Sequence, residues 1–499
     1  MQWTCPIRAG VETRPDAPAL TFGGRRWTYR ELDAEVGRWV AALQSRGVKP
    51  GERVALLATN HAAVVHLFFA LGRVGAVLAP LNARLTRAEL QPLAEDVAPR
   101  LSLALTGLAE RLPGAELLES FTDAVSAPAL PCASLEPGTP RVILFTSGTT
   151  GRPKGAVLTE GNFRASARAS EANLGAHPAP YWLGTLPLFH VGGLGMLTRT
   201  AYAGGCLVLR ERFEADDTNQ AIDEEGVTHA SFVATTLERV LEARKDRPVP
   251  ATFRLALIGG GPVPAPLLAR ARAAGILALQ TYGLTESCAQ VATEHPDEAD
   301  GRTAGRPLPG LQVRIVGPGG EALEAGREGD IEVRGPTVMA GYLNRPEATR
   351  EAFRDGWLRT KDMGMLDGRG RLTVLSRRTD LIVRGGENIY PAELEAVLAA
   401  HPAVQEAAVV GVPDARWGEV PVAFVATRDG APLPAELGAW CRESLAGFKV
   451  PARFLGIEAL PRNAMGKVER TVLRERALVG PSAISDRDAS ASPRKPLDS

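Results

Sequence analysis

Thr146-Ser147-Gly148-Thr149-Thr150-Gly151-Arg152-Pro153-Lys154-Gly155 is a polar, glycine-rich stretch between two apolar runs, 141–145 and 156–158. Its hydroxyl groups, glycines and cations are the chemistry of a loop that binds phosphate. A Walker loop is excluded, because Pro153 precedes the lysine and an apolar run, not a helix, follows. A plain hairpin turn is the alternative, but such turns are shorter and do not concentrate hydroxyls beside a lysine. The stretch predicts strand, phosphate loop, strand, and a nucleotide enzyme other than a kinase or motor ATPase.

The composition limits the size and the partners of the protein. A chain of 499 residues exceeds what one hydrophobic core serves, so at least two domains are expected. Lys plus Arg and Asp plus Glu both total 57, which leaves no basic excess for a nucleic acid.

The cysteines and the hydropathy of the chain indicate in which cellular compartment the protein is expected. The widely spaced cysteines favour a reducing cytosol over a disulfide framework, and their spacing gives no zinc motif; they are Cys5, Cys132, Cys206, Cys288 and Cys441. The start of the chain lacks a secretory signal, and polar residues interrupt the richest apolar window, 54–81. The sequence therefore predicts a soluble cytoplasmic protein without a transmembrane segment.

Apolar periodicity predicts alternating helices and strands around the loop. The expected helices are 29–44, 61–73, one opened by the capping box Thr86-x-x-Glu89, and 265–273, and the expected strands are 53–58, 76–81, 101–105, 255–258 and 277–281. Such alternation indicates covered, largely parallel sheets. Short alternating runs over 305–374 predict a small antiparallel β-barrel.

The expected fold class is α/β. Residues 1–375 are predicted to form a large N-terminal domain of two α/β layers plus the barrel, and 376–380 a polar hinge linker. A helix at 391–400 and strands at 407–410 and 421–426 predict a small, compact α+β domain over 381–478. The Ser-, Pro- and Asp-rich segment 479–499 is predicted to be disordered.

Further polar motifs stand apart from this packing pattern. They are Leu186-Pro187-Leu188-Phe189-His190-Val191-Gly192-Gly193, Tyr282-Gly283-Leu284-Thr285-Glu286, Gly356-Trp357-Leu358-Arg359-Thr360-Lys361-Asp362, Gly385-Gly386-Glu387-Asn388 and Pro461-Arg462-Asn463-Ala464-Met465-Gly466-Lys467. With the phosphate loop, and in this order, they resemble the motifs of the adenylate-forming superfamily, which contains acyl-CoA synthetases, peptide-synthetase adenylation domains and firefly luciferase. The resemblance extends to Arg474.

The resemblance implies a site for ATP. It places the phosphates on Thr146, Ser147, Gly148, Thr149, Thr150, Gly151 and Lys154, the adenine by Gly260, Gly261, Pro262, Tyr282 and Gly283, and the ribose on Asp362 with Arg377 beside it. Thr285 would contact the α-phosphate, and Glu286 with Thr149 would hold Mg²⁺. Lys467 would bridge the substrate carboxylate and the α-phosphate.

The implied reaction has two halves, formation of an acyl-adenylate and then of a CoA thioester. His190 would act as a gate between the acid and thiol pockets, and Gly385 and Gly386 would line the pantetheine tunnel after the C-terminal domain turns. The implied acid pocket consists of His190, Gly192, Gly193, Ser231, Gly259, Gly283 and Gln290. The partners are thus ATP, CoA and a small carboxylic acid, and a homodimer stays open.

Each candidate residue also has a purely structural explanation. His190 can be a core histidine, Lys467 a solvated surface cation, and Tyr282 a packing residue. Glu286 can cap a helix and Asp362 can close a turn.

Four positions depart from the usual family pattern. The family usually has Gly at Lys361 and Ser376, Asp or Lys at Thr379, and Thr or Ser at Met465. None of them removes a charged catalytic group, so they bear on the kinetics of the domain motion rather than on the expected adenylation chemistry.

The amino-acid sequence of four stretches, 81–90, 285–291, 378–383 and 461–464, is most similar to the succinylbenzoate-activating branch of the superfamily, which acts in menaquinone synthesis. A dicarboxylate leaves a second carboxylate to pair, and we expect Arg199 or Gln290 to contact it, directly or through water. An arginine on a helix surface is the alternative for Arg199.

Other functions left open are a medium-chain fatty, aryl or malonyl-type acyl-CoA synthetase, an adenylating enzyme that loads a carrier protein, and a silent nucleotide-binding regulator.

Overall fold

The computed structural model describes residues 5–123, 135–146, 153–261, 263–377, 380–384, 387–414, 416–463 and 466–479. The chain divides into two compact units, Met1–Val374 and Leu375–Ser499. Within the described ranges, none of the helices has the length and apolar character needed to cross a bilayer. The expected disorder after 479 falls outside the described residues.

The N-terminal unit alternates strands and helices through most of its length. Its strands are β1 (Pro18–Phe22), β2 (Arg25–Thr28), β3 (Arg53–Leu57), β4 (Val77–Leu81), β5 (Leu101–Ala104), β6 (Glu116–Leu117), β7 (Pro140–Thr146), β8 (Lys154–Thr159), β9 (Tyr181–Gly184), β10 (Cys206–Leu209), β11 (His229–Phe232), β12 (Leu255–Ile258), β13 (Ala278–Tyr282), β14 (Ala292–Thr293), β15 (Arg306–Pro307), β16 (Gln312–Val316), β17 (Gly329–Arg334), β18 (Gly341–Tyr342), β19 (Phe353–Arg354), β20 (Trp357–Leu366) and β21 (Leu372–Arg377), the last of which begins in this unit. Its helices are α1 (Pro6–Thr13), α2 (Tyr29–Ser45), α3 (Ala62–Val74), α4 (Arg87–Val97), α5 (Glu160–Leu174), α6 (Val191–Tyr202), α7 (Ala215–Glu224), α8 (Ala234–Arg244), α9 (Ala265–Ala273) and α10 (Pro346–Ala352), with 3-10 turns at Thr106–Arg111 and Thr285–Ser287.

Two large sheets form the predicted α/β layers. The first has seven strands in the order β18-β8-β7-β4-β3-β5-β6, and the second has nine in the order β15-β14-β13-β12-β11-β9-β10-β1-β2. Every residue of α3 is buried, as expected for a helix that is apolar on all faces. One core cluster contains α3 residues and strand residues of both sheets, such as Leu78 and Leu207, so the layers share a core.

Local signals explain the elements that the sequence predicts. The capping box before α4 is present, since Glu89 N donates to Thr86 Oγ1 at 3.4 Å and Thr86 N donates to Glu89 Oε2 at 2.8 Å. The hairpin of β1 and β2 was not predicted. It joins the second sheet through β10, where Leu20 lies opposite Leu207 in parallel register.

The predicted antiparallel unit after Gly305 is confirmed, with strands in the order β16-β17-β20-β19 and β21 paired to β20. Among the described residues this pairing path is open, so the strands form a sheet rather than a hydrogen-bonded closed barrel. A bulge interrupts β20, because Asp330 lies opposite Met363 whereas Glu332 lies opposite Arg359. Within the bulge Lys361 has a left-handed φ of 65°.

The C-terminal unit is a compact α+β structure. Its elements are β22 (Ile382–Arg384), β23 (Glu387–Ile389), α11 (Pro391–Ala399), β24 (Val404–Asp414), β25 (Gly418–Thr427), α12 (Leu437–Ser444), β26 (Arg453–Gly456) and α13 (Arg470–Val479), with a 3-10 turn at Arg428–Gly430. The strands pair in the order β23-β22-β25-β24, and β26 pairs with β25. The strands predicted at 407–410 and 421–426 are longer than expected, because β24 and β25 pair with each other as one hairpin. In the predicted linker Ser376 and Arg377 end β21, and 378–379 lie outside the described residues.

Candidate active site

The phosphate-loop hairpin has the predicted strand, loop, strand arrangement. Strands β7 and β8 are antiparallel, and Thr146 lies opposite Lys154 where the loop leaves the sheet. The Thr146 hydroxyl donates to the Lys154 carbonyl oxygen at 3.4 Å. Residues 147–152 of the loop between them lie outside the described residues, and they include the predicted phosphate ligands Ser147, Gly148, Thr149, Thr150 and Gly151. Their contact with phosphate stays a prediction.

Lys154 and Glu286 are brought together by a tyrosine. The ammonium group of Lys154 lies 5.6 Å from the centre of the Tyr342 ring, within cation–π range. The Tyr342 hydroxyl donates to Glu286 Oε1 at 2.8 Å. Sequence reasoning missed Tyr342, because one tyrosine in a strand of two residues carries no pattern.

The turn that carries Thr285 and Glu286 is rigidly held. The Ser287 hydroxyl accepts from Leu284 N at 3.2 Å and donates to Leu284 O at 3.0 Å. The Cys288 carbonyl accepts from the Ser166 hydroxyl of α5 at 2.8 Å. Cys288 has a left-handed φ of 53°, so the chain turns sharply after the glutamate.

The residues expected near adenine and ribose also meet. The Tyr282 hydroxyl donates to Asp362 Oδ2 at 2.7 Å, and Asp362 is only 6% exposed. The β20 bulge presents this carboxylate, and Asp362 N donates to the Thr360 hydroxyl at 3.1 Å. Gly260 has a φ of 84° just after β12, a conformation that favours glycine. Pro262 and the Arg377 side chain lie outside the described part of the chain.

His190 lies at the start of α6, as its N-cap residue. Its backbone N–H donates to the Pro187 carbonyl at 3.1 Å, which closes the turn into the helix. A Cβ at Gly193 would overlap the Pro187 carbonyl oxygen, whereas one at Gly192 would make an ordinary contact with Leu186. Packing alone therefore requires glycine at 193 but not at 192.

Two other glycines of the expected acid pocket permit close packing beside it. A Cβ at Gly283 would overlap the Ala289 carbonyl oxygen, and one at Gly259 would lie 2.8 Å from Thr281 Cγ2. Ser231 is buried in β11. The structure thus explains why the backbone here is glycine-rich, and leaves contact with an acid as a prediction.

Arg199 and Gln290 are in direct contact. Arg199 Nη1 donates to Gln290 Oε1 at 2.9 Å and to the Ser170 hydroxyl at 3.1 Å. The guanidinium lies 4.5 Å from the centre of the Trp182 ring, and Arg199 Nε is buried without a hydrogen-bond partner. Arg199 is 6% exposed, so the alternative of a surface arginine is wrong.

The hydrogen-bond partners that the described residues give to Arg199 are neutral. Within the described ranges no Asp or Glu forms an ion pair with it. Burial lowers the pKa of Arg199 to about 10, which still leaves the group charged at neutral pH. A buried cation with only neutral partners is costly, and an anion bound beside it would offset that cost.

Lys467 belongs to the C-terminal unit, where it lies on an exposed turn. Lys467 N donates to Asn463 Oδ1 at 3.0 Å, and Asn463 N donates to Lys467 O at 2.8 Å. Gly466, with a φ of 78°, allows this tight turn. Gly385 and Gly386 lie outside the described residues. Engagement of Lys467 with the other site residues stays a prediction.

Comparison with known proteins identifies the class. Residues 7–343 match the AMP-binding enzyme family, and residues 393–467 match the AMP-binding enzyme C-terminal domain. The chain belongs to the AMP-binding enzyme family, and the resemblance to the adenylate-forming superfamily is confirmed.

Particular relatives are more specific. The chain is 42% identical over 469 residues to 2-succinylbenzoate–CoA ligase of Geobacillus kaustophilus, a match that covers 92% of this chain and 95% of that protein. It is 36% identical to o-succinylbenzoate CoA synthetase (MenE) from Bacillus subtilis in complex with the acyl-adenylate intermediate OSB-AMP, with a TM-score of 0.90 and coverage of 95% and 98%. The same B. subtilis enzyme with ATP and magnesium ion gives 36% identity, a TM-score of 0.89 and coverage of 94% and 99%.

Proposed function

We propose that this chain is an ATP-dependent 2-succinylbenzoate–CoA ligase of menaquinone synthesis. Relatives of that name match more than nine-tenths of its length, and related structures hold ATP with magnesium and the acyl-adenylate. The structural observation that favours a dicarboxylic acid is Arg199, a buried cation with neutral protein partners.

The first half-reaction joins the acid to AMP. A carboxylate oxygen attacks the α-phosphorus of ATP, the bond to the bridging oxygen breaks, and pyrophosphate leaves. The attack brings like charges together, so cations placed where negative charge develops lower the barrier. In the proposal Lys154 contacts the leaving phosphates, Thr285 the α-phosphate, and Lys467 both the α-phosphate and the incoming carboxylate.

The residues present fit a magnesium ion. Glu286 offers carboxylate oxygens, one of which is fixed by Tyr342, and hard oxygen ligands suit this metal. Glu286, with Thr149 as a further predicted ligand, would hold it. When bound, Mg²⁺ neutralises charge on the triphosphate.

The second half-reaction forms the thioester. The CoA sulfur, as thiolate, attacks the acyl carbonyl carbon, and AMP leaves with its phosphate oxygen. We propose that the C-terminal unit turns about 376–380, which withdraws Lys467 and brings Gly385 and Gly386 toward pantetheine. His190, at the start of α6, would separate the acid from the thiol path.

Acid selectivity is proposed to come from the Arg199–Gln290 pair. Binding a second carboxylate in a buried position without a partner would be expensive, so a dicarboxylic substrate needs a cation there. Arg199 provides one, with Nε unpartnered and its position fixed by Ser170 and Gln290. A simple fatty acid has no use for this charge.

The cellular location and the oligomeric state are also proposals. A cytoplasmic location fits the free, buried thiols of Cys5, Cys206, Cys288 and Cys441, since a reducing compartment keeps thiols reduced. A homodimer is an expectation that light scattering on the purified protein would test.

The test is pyrophosphate release over a panel of acids, with and without CoA. We expect succinylbenzoate to give the highest kcat/KM, pyrophosphate without CoA in at most a single turnover, and AMP with thioester once CoA is added. Preference for a monocarboxylic fatty or aryl acid would contradict the proposed substrate. Transfer to a carrier protein but not to CoA would favour a carrier-loading enzyme.

A further inference from the structure

Tyr342 occupies a specific place between two groups of the candidate site. Its ring faces the Lys154 ammonium at 5.6 Å, and its hydroxyl donates to Glu286 Oε1 at 2.8 Å. A tyrosine that contacts both the loop cation and the carboxylate can set their separation. No sequence motif assigns it such a role.

The backbone around Tyr342 makes its position firm. Tyr342 lies opposite Ala156 in the antiparallel pair of β18 and β8, two residues beyond Lys154. Tyr342 N donates to the Thr349 hydroxyl at 2.9 Å, and the next residue, Leu343, donates to the Gly155 carbonyl at 2.7 Å. The phenol is therefore anchored to the strand that leaves the phosphate loop.

Glu286 is fixed from the same side. Its carbonyl oxygen accepts from Met339 N at 2.8 Å, and its side chain accepts from the Tyr342 hydroxyl. A carboxylate has about four acceptor positions, so one bond from a phenol leaves the others for a cation. The hydrogen bond favours one orientation of the Glu286 carboxylate.

We infer that Tyr342 is a positioning residue that orients the Glu286 carboxylate for the magnesium ion of Mg·ATP. The inference rests on the proposed function, since it needs an enzyme that binds ATP with a metal. Partners that orient a metal ligand typically change metal affinity 10- to 100-fold when removed. Tyr342→Phe removes only the hydroxyl and keeps the ring beneath Lys154.

The experiment is calorimetric titration of ATP into the full chain at a series of Mg²⁺ concentrations, with no acid present. We expect Tyr342→Phe to raise the Mg²⁺ concentration for half-maximal enhancement of ATP binding about 10- to 100-fold. ATP binding in EDTA should stay within about twofold of wild type, because the lost bond acts through the metal ligand. Tyr342→Leu, which also removes the ring, should weaken ATP binding in EDTA as well.

The matched control is Tyr202→Phe. The Tyr202 hydroxyl donates a comparable bond to Glu160 Oε1 at 2.6 Å, and Glu160 is not one of the proposed magnesium ligands. If Tyr342→Phe leaves the Mg²⁺ dependence at its wild-type value, or if Tyr202→Phe moves it equally, the inference about Tyr342 is overturned and the proposed function stands. A wild-type protein that binds no ATP at any Mg²⁺ concentration would overturn both.

Discussion

Replacing Arg199 with methionine tests the second-carboxylate subsite. Methionine is unbranched, uncharged and shorter, so it keeps the apolar stem of the side chain while removing the guanidinium beside Trp182. With the arginine gone, a dicarboxylic substrate must bury one carboxylate without a cationic partner. The variant should therefore discriminate between acids in a way that wild type does not.

The magnitude follows from the burial of the site. Arg199 is 6% exposed, and removing one partner of a buried charge pair costs about 3–5 kcal/mol. At 1.36 kcal/mol per factor of ten, kcat/KM for succinylbenzoate should fall about 150- to 5,000-fold. For the monocarboxylic analogue that lacks the pairing carboxylate, the change should be less than about tenfold.

Stability should respond differently. Loss of the buried cation removes a desolvation cost, whereas Gln290 Oε1 and the Ser170 hydroxyl lose a donor, at about 1–3 kcal/mol. Because the two effects oppose, we expect the free energy of unfolding to change by less than about 2 kcal/mol.

The assay is pyrophosphate release from succinylbenzoate and from both of its monocarboxylic analogues, with circular dichroism to confirm folding. Arg199→Lys is the matched control, since it keeps the charge but loses the planar fork, and it should lie between wild type and Arg199→Met. If folded Arg199→Met keeps kcat/KM for succinylbenzoate within about fivefold of wild type, near 1 kcal/mol, the subsite does not involve Arg199.

Three further predictions address Lys467 of the C-terminal unit, a strained residue and a buried histidine. Lys467→Ala should slow acyl-adenylate formation about 100-fold or more, whereas the rate of thioester formation from supplied acyl-AMP should fall less than about tenfold. Equal losses in the two half-reactions would contradict the proposed role of Lys467. Lys361 has a left-handed φ, and glycine at this position relieves a strain of about 1–2 kcal/mol, which exceeds the stabilisation of the unfolded chain by its added entropy. Lys361→Gly should therefore raise the free energy of unfolding in urea by about 0.5–1 kcal/mol. Lys361→Val should lower it. Burial lowers the pKa of His229 to about 3, so the folded protein favours the neutral ring. The resulting contribution to the free energy of unfolding is present above the ordinary pKa of 6.5 and is lost as pH falls toward 3. His229→Phe, which keeps the stack on Trp182 at 4.8 Å, should flatten the acid side of the stability curve by up to about 1.4 kcal/mol per pH unit, and an unchanged slope would refute this.

Elements whose signals are local were predicted well. Helix α2 matches the expected span closely, and α4 begins at its capping box, because apolar spacing and caps depend on a few neighbouring residues. The β1–β2 hairpin was missed, since its place is set by pairing with a strand distant in sequence. The bulge before Asp362 was missed for the same reason, although the unusual Lys361 pointed to that position.

The site was predicted as a list of residues rather than as an arrangement. Tyr282 and Asp362 came from separate motifs, and only the fold shows that they share a hydrogen bond. Arg199 and Gln290 were proposed as alternatives for one carboxylate, whereas they are bonded to each other and lie together beside Ser170. Tyr342 has no local signal, because its significance depends on the two side chains it contacts.

The parallel pairing of Leu20 with Leu207 has a consequence during synthesis. The ribosome must add about 190 residues after the first strand before its partner exists, which takes roughly 10–40 s at 5–20 residues per second. Throughout that interval the edge of β1 that later pairs with β10 stays unpaired, and such an edge is the kind of surface that chaperones shield and that aggregates recruit. Yield in a heterologous host should therefore depend on translation speed across the segment that precedes Cys206.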